Sequence, residues 1–104
     1  MVEKIERDGK VAVLVSHGFG AGWSTWASTN EKVMVFCPRL VLAVLGESDE
    51  DVLEVAEELF PNEYLGGLRG IAVEWVEKGS RFEITEYDGS ETLRVFGPND
   101  GFVA

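Results

Sequence analysis

Two stretches of the sequence gather the residue types that could do chemistry. The first is Ser16-His17-Gly18-Phe19-Gly20-Ala21-Gly22-Trp23-Ser24-Thr25-Trp26. A strand running into His-Gly and small residues is how α/β-hydrolases build an oxyanion hole. That fold also needs a Gly-x-Ser-x-Gly elbow and a later acid and histidine. No such elbow is present, and His17 is the only histidine. Gly18-x-Gly20-x-Gly22 departs from the Gly-x-Gly-x-x-Gly dinucleotide fingerprint. The segment from Trp23 to Asn30 is also too short and too rich in Ser and Thr for the helix that must follow it. A phosphate-binding P-loop needs Gly-Lys-Ser/Thr, but Gly22 precedes Trp23 and the next lysine is Lys32. Ser16 and His17 are strand neighbours and point to opposite faces, which separates a nucleophile from its base. Glu86, Asp88 and His17 are left as single acids or bases with no nucleophile–base–orienter set. The expectation is a protein without catalytic residues.

Binding is the chemistry that remains. Gly18, Gly20 and Gly22 expose backbone N–H groups, Ser24, Thr25 and Ser28 add hydroxyls, and Trp23 and Trp26 add indoles. Together they suit a polar planar ligand or a protein partner. A second glycine cluster, Tyr64-Leu65-Gly66-Gly67-Leu68-Arg69-Gly70, is expected to place Tyr64, Gly66 and Gly67 nearby. The competing reading is structural: the glycines turn the chain sharply, and Trp23 and Trp26 fold back to cap the core.

The second stretch is acidic. Eight acids lie from Glu47 to Glu63, and no Lys or Arg occurs between Arg39 and Arg69. Glu50, Glu54, Glu57 and Glu58 fall on the outer side of a helix, as a solvated face or as a docking surface for a basic partner. Further on, Glu86-Tyr87-Asp88-Gly89-Ser90-Glu91 reads as a type I′ hairpin with charged flanks. Asp88 and Glu91 lack the dense spacing of a calcium loop.

The elements that must position these residues follow from periodicity. Val11-Ala12-Val13-Leu14-Val15 predicts a strand buried on both faces. Val33-Met34-Val35-Phe36 reads as a second strand. Pro38 suits the first turn of a helix from Arg39 to Leu45, closed by Gly46. Ser48 is a candidate N-cap for the next helix, which Pro61 ends. Ile71-Val73-Trp75 and Phe82-Ile84 alternate as strands around a turn at Glu77-Lys78-Gly79-Ser80, and Thr92 to Phe96 completes a meander. The expected fold is α+β: a mainly antiparallel sheet of about five strands, with two helices covering one face.

Bulk composition narrows the function classes. The chain has 104 residues, 45% of them hydrophobic, which suits one small globular domain, residues 1–104. Nineteen acids against nine bases give a net charge of −10, which argues against direct binding to nucleic acid or anionic membrane. One cysteine, Cys37, allows no internal disulfide and reads as a small buried residue. One His and one Cys are a poor zinc supply, so no metal or other cofactor is expected. No apolar run reaches membrane-helix length and the charged N-terminus is no signal peptide, which makes the cytoplasm the expected location.

Val13 to Trp26, then Pro61-x-x-Tyr64-Leu65-Gly66-Gly67, then Phe82-x-Ile84-x-Glu86-Tyr87-Asp88-Gly89-Ser90-Glu91, resembles a family of small proteins of bacteria and their phages. The resemblance covers roughly residues 11 to 93. It implies a type of protein and no mechanism. In that family a basic residue is usual at the position of His17 and an aspartate at that of Cys37, so this chain departs at both. With size and charge, the resemblance leads to the expectation of a small acidic protein acting stoichiometrically on a protein partner. A phage-type inhibitor of a host defence such as CRISPR is one form of that expectation. The alternative is a binder of a nucleotide or anionic metabolite through residues 18–26. A homodimer is compatible with either.

Overall fold

A computed structural model describes residues 3–17, 22–26, 31–63, 65–87, 90–96 and 102–104, with the backbone alone at 26, 31, 69 and 96. The fold is α+β with antiparallel strands. The strands form two three-stranded sheets rather than one five-stranded sheet, and three α-helices are present among the described residues.

The first sheet has the order β1 (Glu6–Arg7), β2 (Lys10–Ser16), β3 (Ile71–Glu77). β1 and β2 join through Asp8 and Gly9, both at positive φ. This is the Asp-Gly pair that a type I′ turn requires. The second sheet has the order β5 (Ser90–Phe96), β4 (Arg81–Tyr87), β6 (Phe102–Val103). The turn expected at 77–80 joins β3 to β4, with Gly79 at φ 87°. Asp88 and Gly89 lie outside the described residues.

β2 explains the layering. Val11 through Val15 are essentially inaccessible to solvent, as the unbroken apolar run predicts. Ala12 and Leu14 face one core with Trp23, Met34, Leu40, Val41, Val55, Ala56 and Phe60. Val11, Val13 and Val15 face a second core with Val35, Phe36, Val76 and Phe82. The first core lies beneath α2 (Pro38–Val44) and α3 (Val52–Leu59), and the second lies between the two sheets.

Val33 to Phe36 is helical, not a strand. It forms most of α1 (Glu31–Phe36). A short apolar run has no decisive period, and here the local β preference of valine yields to tertiary packing. α1 is wedged between the cores, so Met34 enters one while Val35 and Phe36 enter the other. Pro38 opens α2 and Gly46, at φ 75°, closes it as expected. α3 is capped by Asp51, whose side chain accepts from the Glu54 N–H at 3.1 Å, rather than by Ser48.

Cys37 is buried at the junction of α1 and α2, and burial pushes its thiol pKa up. The thiolate is the reactive form. A thiol reagent should therefore react with the native protein only at the rate at which the structure opens, and rapidly in denaturant. Fast native reaction would place Cys37 at the surface.

Candidate functional site

The first and third motif segments meet at one carboxylate, and the second packs beside the first. Glu91 opens β5 on the face of its sheet that turns toward the core, and it has no solvent exposure. Its Oε1 accepts from the Ser16 N–H at 2.9 Å. Its Oε2 accepts from the Trp23 N–H at 2.7 Å, the Thr25 N–H at 3.0 Å and the Thr25 hydroxyl at 2.5 Å. Among the described side chains no basic group pairs with it. The carboxylate is held by dipoles alone, the arrangement that backbone turns offer to anions.

The second glycine cluster supports the same junction. It forms a 3-10 turn over Gly66–Gly70. A Cβ added at Gly67 would stand 2.1 Å from the Gly22 carbonyl oxygen and 2.9 Å from the Trp23 nitrogen. Only glycine lets the two backbones approach so closely. The Ser16 hydroxyl donates to the Gly67 carbonyl at 2.7 Å, and the His17 N–H donates to the Gly70 carbonyl at 2.8 Å. From β5, the Ser90 hydroxyl donates to the His17 carbonyl at 3.3 Å.

Trp23 belongs to the core and not to a recognition surface. Its indole is fully buried, donates from Nε1 to the Met34 carbonyl at 2.7 Å, and packs edge-on against Phe60. This is the capping role weighed against a binding role, and it withdraws Trp23 from the proposed contacts. Gly22 and Ser24 are also buried, and Thr25 is half-buried. Gly66 and Gly67 do come beside the first segment, as packing partners of its backbone. Gly18, Gly20 and Tyr64 lie outside the described residues, as does the side chain of Trp26.

Ser16 and His17 face apart. Ser16 is buried on Gly67, while His17 is exposed with Nε2 3.1 Å from Glu74 Oε2, at ion-pair distance but outside hydrogen-bond geometry. No nucleophile–base pair is formed between them. Among the described residues no group of three or more His, Cys, Asp or Glu is placed to hold a metal ion.

The acidic helix is divided. Arg39 on α2 holds Glu50 at 2.6 Å and Glu58 at 2.7 Å. The paired guanidinium keeps the Glu50 carboxyl below its usual range. Glu54 and Glu57 are exposed and have no basic partner among the described side chains. Leu53 stands beside them, 51% exposed.

A shallow cavity of about 300 Å³ lies at the far end of the first sheet, lined by Arg7, Asp8, Lys10 and Trp75. Arg7 is held there by both carboxylate oxygens of Glu47. The cavity is remote from Gly22 and Gly67, which meet at the Ser16–Ile71 end of the β2–β3 ladder.

Comparison with protein-family models, with curated proteins and with solved structures gives no match for this chain. Its own geometry therefore has to carry any functional reading. Among the described residues no helix is long and apolar enough to cross a membrane.

Proposed function

We propose that this protein is a non-enzymatic module that acts stoichiometrically, in the cytoplasm, on a protein partner with a basic surface. It docks through the outer face of α3. The observation that carries this reading is the pair Glu54 and Glu57, exposed and without a basic partner among the described side chains, with the half-exposed Leu53 beside them. An apolar side chain set in an acidic face supplies contact area to desolvate, while the carboxylates steer the encounter and select a basic partner. The carboxylates of Glu50 and Glu58, tied to Arg39, stiffen the margin of that face.

The alternative, a nucleotide or metabolite cradle in residues 18–26, has less support. The Trp23 and Thr25 donors that such a ligand would use already serve Glu91. The resemblance to phage proteins and the acidic docking face suit an inhibitor of a host defence such as CRISPR, whose effectors carry basic nucleic-acid surfaces.

The test is charge reversal. Glu54→Lys/Glu57→Lys should weaken retention of a co-purifying basic partner roughly tenfold or more, and wild-type retention should loosen as salt rises. Thermal unfolding should stay near that of wild type, because both side chains are at the surface. Equal retention of the same partner by the reversed protein would remove α3 as the docking face.

A further inference from the structure

Two of the residues that hold Glu91, Ser16 and Trp23, are themselves held by other contacts. Ser16 is fixed by the β2–β3 ladder and by its hydroxyl bond to Gly67. Trp23 is fixed by its indole bond to Met34 and its contact with Phe60. The backbone of Gly22 rests against Gly67. None of these restraints involves Glu91. The donors also come from two separate segments, the end of β2 and the turn at Trp23–Thr25, rather than from one chain end. Both carboxylate oxygens are engaged, and the Thr25 hydroxyl donates to one of them.

We propose that the N–H groups of Ser16, Trp23 and Thr25, with the Thr25 hydroxyl, form a carboxylate-binding site that is occupied in cis by Glu91. Its ligand class is the small monocarboxylate. Withdrawal of the side chain opens the site to a carboxylate from solution. Truncation of Glu91 to alanine removes one methylene and the carboxylate, and acetate supplies those same atoms. The site is independent of the docking face on α3.

The experiment is chemical rescue of Glu91→Ala, read by thermal unfolding against acetate, formate, benzoate and chloride at equal ionic strength. A ligand that binds only the folded state raises Tm by mass action. At acetate tenfold above its Kd, the rise expected for a domain of this size is roughly 5–10 °C. Formate should act more weakly, and benzoate, too large for a buried site, should act no better than chloride. Wild type should not respond, because Glu91 fills the site. Thr25→Val added to Glu91→Ala should weaken the acetate response several-fold by removing one donor.

If Glu91→Ala is unfolded in plain buffer, the same titration is read by circular dichroism as recovery of folded protein. Acetate must then restore structure where chloride does not. A variant that ignores acetate in both readouts overturns the proposal. So does a response shared equally by benzoate or by wild type.

Discussion

Gly67→Ala should destabilise the folded chain strongly, lowering its urea midpoint well below that of the wild type. The new Cβ would stand 2.1 Å from the Gly22 carbonyl oxygen and 2.6 Å from its carbon. Both neighbours are backbone and cannot rotate away. Gly22 and Gly67 are buried, and the two segments are tied by the Ser16 bond to the Gly67 carbonyl. Relief would therefore require the whole junction to part. Overpacking usually costs 1–3 kcal/mol, and backbone overlap belongs at or above the top of that range, so the loss should be about 3 kcal/mol or more. Against a typical stability of roughly 5–15 kcal/mol, that is a large share. The comparison is Gly46→Ala, where φ is 75° and nothing lies within 4 Å of the added carbon. That change carries only left-handed strain, about 1–2 kcal/mol. Urea midpoints should rank wild type, then Gly46→Ala, then Gly67→Ala. A Gly67→Ala midpoint at or above that of Gly46→Ala would mean the two glycine segments are not in contact.

Glu91→Gln should destabilise the protein although the side chain keeps its shape. A buried charge is often a liability, and replacing one by a neutral group of similar size can stabilise. Here the sign is reversed, because each described group bonded to the carboxylate is a donor. The amide has one carbonyl oxygen for the positions now filled by two carboxylate oxygens. If that oxygen serves Trp23 and Thr25, its NH2 meets the Ser16 N–H. In the other orientation it meets three donors. At least one buried donor loses its acceptor, at a cost of about 1–3 kcal/mol, and the bonds that remain are weaker without charge. The expected loss is about 2–4 kcal/mol, measured as a lower urea midpoint at unchanged m. A neutral or stabilising Glu91→Gln would show that the carboxylate is not the keystone of the junction.

The parts of the fold legible in sequence were those where local chemistry and tertiary packing agree. The unbroken apolar run of β2 is buried on both faces because two cores flank it. Pro38 and Gly46 bound α2 because ring geometry and positive φ leave few alternatives. The alternation in β4 survived because Phe82 and Ile84 lie on one face against the second core, whereas β3 sets Ile71 and Val73 on the first core and Val76 on the second. α1 was misread because Val33 to Phe36 touches both cores, which erases the helical period. The Asp8-Gly9 pair carried the same turn signal as Asp88-Gly89 and marks the short β1 hairpin.

At the junction, the sequence singled out all three segments but not the bond between them. Glu91 read as a charged hairpin flank because its strand neighbours Glu86, Thr92 and Arg94 are exposed. Its burial is set by donors far away in the chain, at Ser16, Trp23 and Thr25, and periodicity does not report such contacts. A signal was nevertheless present. A glycine-rich turn offers many N–H donors and, among its side chains, no carboxylate, which makes a carboxylate from elsewhere in the chain a natural partner.

Amide hydrogen exchange of Ser16, Trp23 and Thr25 in the unmodified protein tests most directly whether this turn is closed upon an internal carboxylate. Their N–H groups should exchange as slowly as those of β2, through openings that approach global unfolding. Exchange of Trp23 and Thr25 near the rate of an unstructured peptide, with β2 still protected, would mean that the turn stands open and its donors are free for an outside ligand.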